Sequence, residues 1–410
     1  MKKNDNYNIK VLCGDIEKAR EARALRPFSE EVTEFLVSLS EEIFKDKQAK
    51  HYSDIITFGF FCRGKNIEAL KKQYNLESRL GLGLIYHIAP GNVPMNFAYS
   101  LVAGLLGGNA SIIKLSSKEF EQTEIMVRLI KKVMESVELK GEYVTLVKYS
   151  AENKEATNHL SEICDARMIW GGDETIKKIR KSELGPRSFD ILFANRNSVA
   201  VIEAKEITKN QNLGKQESIA GLVRLARDFY NDTYLYDQNA CSSPRIIYWV
   251  GSDREIEEAK VLFWNAIHQE VANRYQLEAV ISVNKYVNVC RAAIEIDNIT
   301  AERGPDNLIT RMAVGELDSR LFRYNMAGGS FVEYSSSGIE DLEKIAGKDL
   351  QTIGYYASKN IVEEIKRMII EKGVRGIDRI VPIGETSSFS LVWDGIDLIL
   401  RLSRIITSVS

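Results

Sequence analysis

A chain of 410 residues has room for two or three domains, and 44% hydrophobic with 27% charged residues is ordinary for a globular protein. A formal net charge of −2 gives no electrostatic basis for a nucleic-acid or anionic-membrane partner. The five cysteines (Cys13, Cys62, Cys164, Cys241, Cys290) are odd in number and form no CxxC, and the four histidines form no HxxxH or HExxH pair, so neither a disulfide framework nor a metal site is expected.

The start, Met1-Lys2-Lys3-Asn4-Asp5, leads into no apolar h-region, so no signal peptide is read there and a cytoplasmic location is expected. Residues 1–75 read as largely helical and charged, with Val32, Phe35 and Leu36 at helical spacing. From about residue 82 strands and helices alternate. Gly83 to Ala89 is an apolar run of strand length, broken by Pro90-Gly91-Asn92-Val93-Pro94. The apolar stretch Val93 to Leu106 is too short for a bilayer span and is interrupted by Asn96 and Ser100, so it predicts a buried helix. Ala110 to Leu115 reads as the next strand. Ser116 or Ser117 is then a candidate cap for a helix with Ile125, Leu129 and Val133 on one face.

Tyr143 to Tyr149 and Arg167 to Trp170 read as further strands, the latter followed by Gly171-Gly172 and a short helix near Asp173. Such a β-α succession predicts a parallel sheet with ligands beyond the carboxyl ends of its strands, where Asn92, Lys114 and Gly171 fall. A long helix at about 215–230 carries Ile219, Val223, Ala226 and Tyr230 in one row, beside Leu222, Leu225 and Phe229. Leu350 to Ala357, Lys359 to Ile370 and Arg379 to Ile383 read as strand, helix and strand.

Cys241 sits in a small polar loop, Asn239-Ala240-Cys241-Ser242-Ser243-Pro244, directly after the long helix. A thiolate held on such a loop is a strong nucleophile; an inert buried cysteine is the competing reading. The other four cysteines read as core. Asn92 offers an amide NH₂ that suits an oxyanion, or bonds its own loop backbone. Lys114 ends a strand, where an ammonium either holds ribose hydroxyls or phosphate or is simply solvated. Gly171-Gly172 before a helix resembles a phosphate-cradling turn, although Asp173 and Glu174 bring the wrong charge. Gly81-Leu82-Gly83 lacks the third glycine of a dinucleotide fingerprint and precedes its strand. His87, inside an apolar strand, reads as a satisfied core histidine.

Four segments together resemble the aldehyde dehydrogenase superfamily, and most closely its LuxC-like branch, the acyl-CoA (fatty acyl thioester) reductases. They are His87-Ile88-Ala89-Pro90-Gly91-Asn92-Val93-Pro94, Trp170-Gly171-Gly172-Asp173-Glu174-Thr175, Asp237-Gln238-Asn239-Ala240-Cys241-Ser242-Ser243-Pro244, and Arg379-Ile380-Val381-Pro382-Ile383-Gly384-Glu385 followed by Trp393-Asp394-Gly395. The likeness runs from about Glu42 to Arg404. It implies an α/β fold of the aldehyde dehydrogenase kind. Residues 1–205 would form the N-terminal region and an NADP-binding, Rossmann-like domain. Residues 206–380 would form the catalytic domain, and 381–410 a C-terminal return and oligomerisation segment.

The resemblance further implies that Cys241 is the nucleophile and that Asn92 is the oxyanion-hole asparagine of a Pro-Trp-Asn motif, with Gly91 in place of the tryptophan. Lys114 matches the lysine of Lys-Pro-Ser-Glu, whose last position is Ser117 here. Together with Ser116, the loss of that carboxylate favours NADPH over NADH, because a carboxylate would repel a 2′-phosphate. Gly171 and Gly172 match a Gly-Ser turn near the pyrophosphate. The water-activating acid of the hydrolytic members has no counterpart in Ile191-Leu192-Phe193-Ala194-Asn195-Arg196-Asn197-Ser198, with Glu203 as the nearby candidate substitute. The implied activity is NADPH-dependent reduction of an acyl thioester, acyl-CoA or acyl-protein, to an aldehyde. Two alternatives are an NAD(P)-dependent aldehyde dehydrogenase running oxidatively and a non-catalytic scaffold subunit of an acyl-transfer complex. Expected partners are the thioester, an acyl-transferring enzyme and further copies of the chain.

Overall fold

Leu84–Ile88 is apolar and buried at every position, the pattern of a strand covered on both faces, and the first of two sheets is built around it. A computed structural model describes the chain except residues 1–2, 5–6, 138, 140–141, 210–214, 325 and 410, and except the side chains of 3, 4, 215–218 and 303. The chain forms two compact units, Met1–Ala194 with Ser390–Ser410, and Asn195–Phe389. The first change of unit therefore falls ahead of residue 205, because the strand Asn197–Glu203 is an inner strand of the second sheet. The return falls at Ser390 rather than 381, because Arg379–Pro382 still pairs in that second sheet.

The strands of the first unit are β1 (Lys3–Asn4), β2 (Ile9–Cys13), β3 (Arg79–Gly81), β4 (Leu84–Ile88), β5 (Ala110–Lys114), β6 (Val144–Lys148), β7 (Ala166–Trp170) and β8 (Phe189–Phe193). All but β3 form one sheet in the order β1-β2-β6-β5-β4-β7-β8. The ladders from β6 through to β8 are parallel, and β2 joins antiparallel. The expectation of a largely helical N-terminus is corrected at β1 and β2: Ile9 and Val11 are buried and Lys10 exposed, a period of two that only a strand produces. Helices α1 (Ile16–Glu21), α2 (Glu30–Lys45), α3 (Ser53–Phe61) and α4 (Gly64–Lys71) follow.

Next come α5 (Asn96–Leu106), α6 (Glu121–Met134), α7 (Lys154–Ile163) and α8 (Asp173–Ile179). The expected row Ile125, Leu129 and Val133 is buried on α6. The expected serine cap is not formed. Phe120 stands at the N-cap without a side-chain bond, and the Ser116 hydroxyl instead accepts the Lys118 N–H at 3.1 Å, turning the loop before the helix begins.

In the second unit the strands are β9 (Asn197–Glu203), β10 (Pro244–Val250), β11 (Ile299–Arg303), β12 (Thr310–Val314), β13 (Ser330–Ser336), β14 (Leu350–Tyr356) and β15 (Arg379–Pro382), ordered β11-β12-β13-β10-β9-β14-β15. Every pairing is parallel except β11 with β12. The helices are α9 (Ala204–Lys209), α10 (Lys215–Thr233), α11 (Asp253–Arg274), α12 (Ala279–Glu295) and α13 (Lys359–Glu371). On α10 the buried row is Leu225, Ala226, Phe229 and Tyr230, whereas Ile219 and Val223 are exposed; the helix meets its sheet only over its last turns.

The chain then returns to the first unit through β16 (Val392–Trp393), β17 (Ile396–Asp397), α14 (Leu398–Arg401) and β18 (Ser403–Ile405). β18 pairs antiparallel with β3. Arg79 locks that pair by donating to Ser403 Oγ at 2.8 Å and to the Leu400 carbonyl at 2.7 Å. Among the described residues, no helix is long and apolar enough to cross a membrane.

Candidate active-site residues

In the first sheet the chain passes from β4 through α5 to β5 on one side, and β7 lies on the other side of β4. The sheet order reverses there, so the loops beyond β4 and β7 diverge and open a crevice at the carboxyl ends. Gly91 and Asn92 are exposed in the loop after β4. A Cβ on Gly91 would stand 3.5 Å from Ser116 Oγ, so the loops after β4 and β5 run side by side.

Lys114, the last residue of β5, is mostly buried, and burial holds its ammonium pKa below the usual lysine range. Its Nζ lies 5.2 Å from the Tyr149 ring centre, and no carboxylate among the described residues pairs with it. Asn96, in the first turn of α5, has a buried Oδ1 without a hydrogen-bond partner. Among the described residues, a half-buried cation without a carboxylate partner and a buried acceptor without a donor, each close to the carboxyl end of a strand, suit the phosphates and hydroxyls of a dinucleotide. Sequence reading took Asn96 only as an interruption of an apolar stretch and gave it no role; its one further signal is its place four residues beyond Asn92.

Gly171 spends its N–H on the Phe193 carbonyl at 3.2 Å. Gly172 caps α8, which has seven residues and is too short to build an anion site from its dipole alone. Asp173 is exposed, and Glu174 is paired with Lys177 at 2.8 Å. Trp170 stacks on Phe193 with ring centres 3.8 Å apart and donates to Ser100 Oγ at 2.9 Å. The same Ser100 Oγ lies 2.7 Å from His87 Nδ1, and Ser111 Oγ lies 3.2 Å from His87 Nε2. Burial pulls the His87 pKa down to about 3, so the ring is a neutral core group and not a base.

In the second unit Cys241 occupies a four-residue turn, closed where the Ser243 N–H donates to the Ala240 carbonyl at 3.1 Å. Cys241 itself is half-buried. The approach to the turn is twisted: Asp237 and Gln238 have φ of 52° and 61°, two consecutive left-handed residues. Each is held in place. Asp237 Oδ1 accepts the Tyr275 hydroxyl at 2.7 Å. Gln238 is fully buried; its Nε2 donates to the Pro244 and Ser330 carbonyls at 2.9 Å each, and its Oε1 accepts the Gly329 and Ser330 N–H groups at 3.1 and 3.2 Å. From the start of β9, the Ser198 hydroxyl donates to the Cys241 carbonyl at 2.8 Å. The turn is thus pinned from three directions, which preorganises its thiol.

Of the four cysteines read as core, Cys62 and Cys164 are buried, whereas Cys13 and Cys290 are half-buried like Cys241, which corrects that reading for both. Burial raises the thiol pKa of Cys13 to about 11 and of Cys164 to about 12. Glu203 ends β9, and β9 runs parallel to β10 with Ser198 opposite Pro244 and Glu203 opposite Val250. Five steps of strand separate Glu203 from Ser198, ~16 Å at 3.3 Å per residue. Its carboxylate accepts the Ser358 N–H at 2.7 Å instead. It stands at the far end of the sheet from the Cys241 turn.

The two sheets together are those of the aldehyde dehydrogenase fold. A lactaldehyde dehydrogenase matches at a TM-score of 0.64 and 14% identity over 95% of this chain and 88% of that one. An NAD-dependent benzaldehyde dehydrogenase from Corynebacterium glutamicum matches at 0.62 and 13% over 91% and 84%. Residues 67–288 match the family described as acyl-CoA reductase (LuxC), and the chain belongs to that family. It is 26% identical over 172 residues to a long-chain acyl-protein thioester reductase from Aliivibrio fischeri, covering 42% of this chain and 33% of that one. It is 22% identical over 312 residues to one from Vibrio harveyi, covering 75% and 60%. The matched region therefore spans from a third to three-fifths of these relatives' length.

Proposed function

We propose that the chain reduces an acyl thioester to an aldehyde with NADPH, by way of a thioacyl group on Cys241. The observation that carries this reading is the triply pinned turn that holds the half-buried Cys241, in a chain of the acyl-CoA reductase family. The Cys241 thiolate adds to the thioester carbonyl, and the carrier thiolate leaves. The Cys241 N–H and the Asn92 amide are the donors assigned to the oxyanion, the latter on the likeness of Ala89-Pro90-Gly91-Asn92 to the superfamily motif. Lys114, Ser116, Ser117, Gly171 and Gly172 are assigned to the dinucleotide, whose reduced nicotinamide supplies hydride when bound. Release of aldehyde returns Cys241 to the thiolate.

The reductive direction is favoured over the oxidative one because Glu203, the candidate water-activating acid, sits ~16 Å along the strand from Ser198 and is engaged by Ser358. Names of the relatives point to acyl-protein as well as acyl-CoA as carrier, and a partner that charges Cys241 with an acyl group belongs to the same reading. Incubation with radiolabelled acyl-CoA tests it. Wild type is expected to retain label on Cys241 and release aldehyde when NADPH is added, and Cys241→Ala to do neither while still binding NADPH. Turnover by Cys241→Ala at the wild-type rate would sink the mechanism.

A further inference from the structure

Two β-bulges flank the start of β9 at one level. On one side the register with β10 slips between Pro244 and Ile246, and on the other the register with β14 slips between Leu350 and Thr352. The first slip faces Ser198 and Val199 and the second faces Asn197 and Ser198, so both meet at Ser198, whose hydroxyl holds the Cys241 carbonyl. The extra residues are Arg245 and Gln351. A bulge re-aims the side chain it inserts and costs ladder hydrogen bonds, so bulges gather where a side chain must point somewhere specific. Arg245 is the one with charge.

The Arg245 guanidinium is largely buried. Its Nη1 donates to Asn197 Oδ1 at 2.8 Å, its Nε is buried with no partner, and no carboxylate among the described residues pairs with it. Arg167 shows what a structural buried arginine needs. It grips Asp190 with Nε at 2.8 Å and Nη2 at 3.2 Å, and its Nη1 reaches Ser161 Oγ at 2.7 Å. Burying an arginine against one neutral amide is costly by comparison. Burial lowers the Arg245 pKa, and the charge of Cys241, four residues back across the turn, partly offsets this.

We propose that Arg245, aimed by the bulge in β10, is the cation that holds Cys241 as a thiolate at neutral pH. This rests on the reading of Cys241 as the nucleophile. The step is an acid dissociation: the S–H proton passes to water, its electron pair stays on sulfur, and no redox change occurs. Arg245 itself remains charged throughout. An ordinary thiol is only about 3% thiolate at pH 7. Lowering its pKa by one unit raises that fraction roughly eightfold and lowers intrinsic nucleophilicity only about threefold. The same cation favours departure of Cys241 when aldehyde is released, so it assists both ends of the cycle.

Other charged groups on the surrounding elements are engaged elsewhere. Arg196 pairs with Asp378. Arg379 donates to the carbonyls of Glu385, Thr386 and Ser388, and Glu385 accepts the Ser388 hydroxyl. Asp232 accepts the Gly384 and Thr386 N–H groups, and Asp237 accepts Tyr275. Asp228 pairs with Arg227, and Lys285 donates to the Asn307 and Gly328 carbonyls.

The test is the pH dependence of Cys241 alkylation by iodoacetamide, followed peptide by peptide in the intact protein. Wild type is expected to titrate below the ordinary thiol range, Arg245→Lys to stay low, and Arg245→Met to move up by ~1 pH unit or more. Asn197→Ala, which frees the guanidinium without removing it, is expected to move the midpoint part of the way and keeps the test open if Arg245→Met does not fold. An unchanged midpoint in folded Arg245→Met overturns the role of Arg245 and leaves the nucleophile standing. A wild-type Cys241 that resists alkylation at every pH removes the nucleophile, and this proposal with it.

Discussion

The Ser198 hydroxyl and the Cys241 carbonyl are joined at 2.8 Å, so the turn that carries the thiol is tied to an inner strand of its sheet. Ser198→Ala removes the tie without adding bulk. A hydrogen bond of this kind contributes about 0.5–1.5 kcal/mol, so a small loss of denaturant stability is expected. The turn also gains freedom, and kcat with acyl-CoA is expected to fall about tenfold at nearly unchanged KM, since a loosened nucleophile loses orientation rather than binding. A wild-type kcat in Ser198→Ala would show that the other two anchors suffice.

Gln238 is the heavier anchor. Its amide makes four hydrogen bonds to Pro244, Gly329 and Ser330 backbone, all buried. Gln238→Leu leaves four buried backbone groups unpaired, each costing about 1–3 kcal/mol before relaxation. It is expected to destabilise the protein by several kcal/mol and to abolish Cys241 labelling, read by chemical denaturation and by mass spectrometry. A variant that keeps both properties would show that the left-handed pair Asp237-Gln238 is held by something else.

How much of this was legible in the sequence differs from element to element. The parallel strands were, because Leu84–Ile88, Ala110–Lys114 and Ala166–Trp170 are short apolar runs between turn residues, a local pattern. The Cys241 loop was legible as a loop, because small polar residues and Pro244 follow directly on the long helix. Gln238, Ser198 and Arg245 were not. Gln238 meets Ser330 across 92 residues and Ser198 meets Cys241 across 43, and a bulge depends on the register of a partner strand that no local period encodes. The N-terminal strand was missed because five residues of alternation were outweighed by the helices after them. The serine cap failed because Ser116 found a nearer N–H in its own loop.

Cofactor choice is expected to follow Ser117. It is exposed in the loop beyond Lys114, whose ammonium has no carboxylate partner among the described residues, so a 2′-phosphate meets donors and no repelling acid. NADPH is expected to outperform NADH in kcat/KM, and Ser117→Glu to erase or reverse the preference. Equal efficiency with both cofactors in wild type would show that the phosphate is read elsewhere.

Two buried groups set opposite responses of stability to pH. His87 has its folded pKa lowered to about 3 by burial; its contribution is full above ~6.5, its unfolded value, and is lost as pH falls toward 3. Asp232 has its folded pKa raised to about 7, chiefly by burial; its contribution is full below ~3.9, the unfolded value, and is lost as pH rises through 7. Between pH 4 and 6.5 the two slopes oppose one another. Each full proton difference corresponds to about 1.4 kcal/mol per pH unit. Relative to wild type, His87→Gln is therefore expected to lose stability as pH rises across that window, and Asp232→Asn to gain it. Urea midpoints measured from pH 4 to 7 decide; parallel curves for all three proteins would contradict both assignments.

Hydrolysis of the thioacyl enzyme is the side reaction that a reductase must suppress. It needs a base to deprotonate water, and a positioned base contributes roughly 10²–10⁴-fold. Glu203 cannot supply one from the opposite end of β9, where it accepts the Ser358 N–H. Glu203→Gln is therefore expected to leave the release of free fatty acid from acyl-CoA unchanged. On the family resemblance, we propose that Phe193 takes the place of the acid found in hydrolytic members; its ring is buried against Trp170. In wild type without NADPH, the labelled thioacyl enzyme is expected to persist and fatty acid to appear slowly, and aldehyde to dominate once NADPH is present. Phe193→Glu is expected to raise fatty-acid release, provided the variant folds with the stacked pair lost, which near-ultraviolet circular dichroism checks. If wild type hydrolyses acyl-CoA as fast as it reduces it, and Glu203→Gln stops that hydrolysis, Glu203 reaches the thioester after all and the oxidative dehydrogenase becomes the better reading.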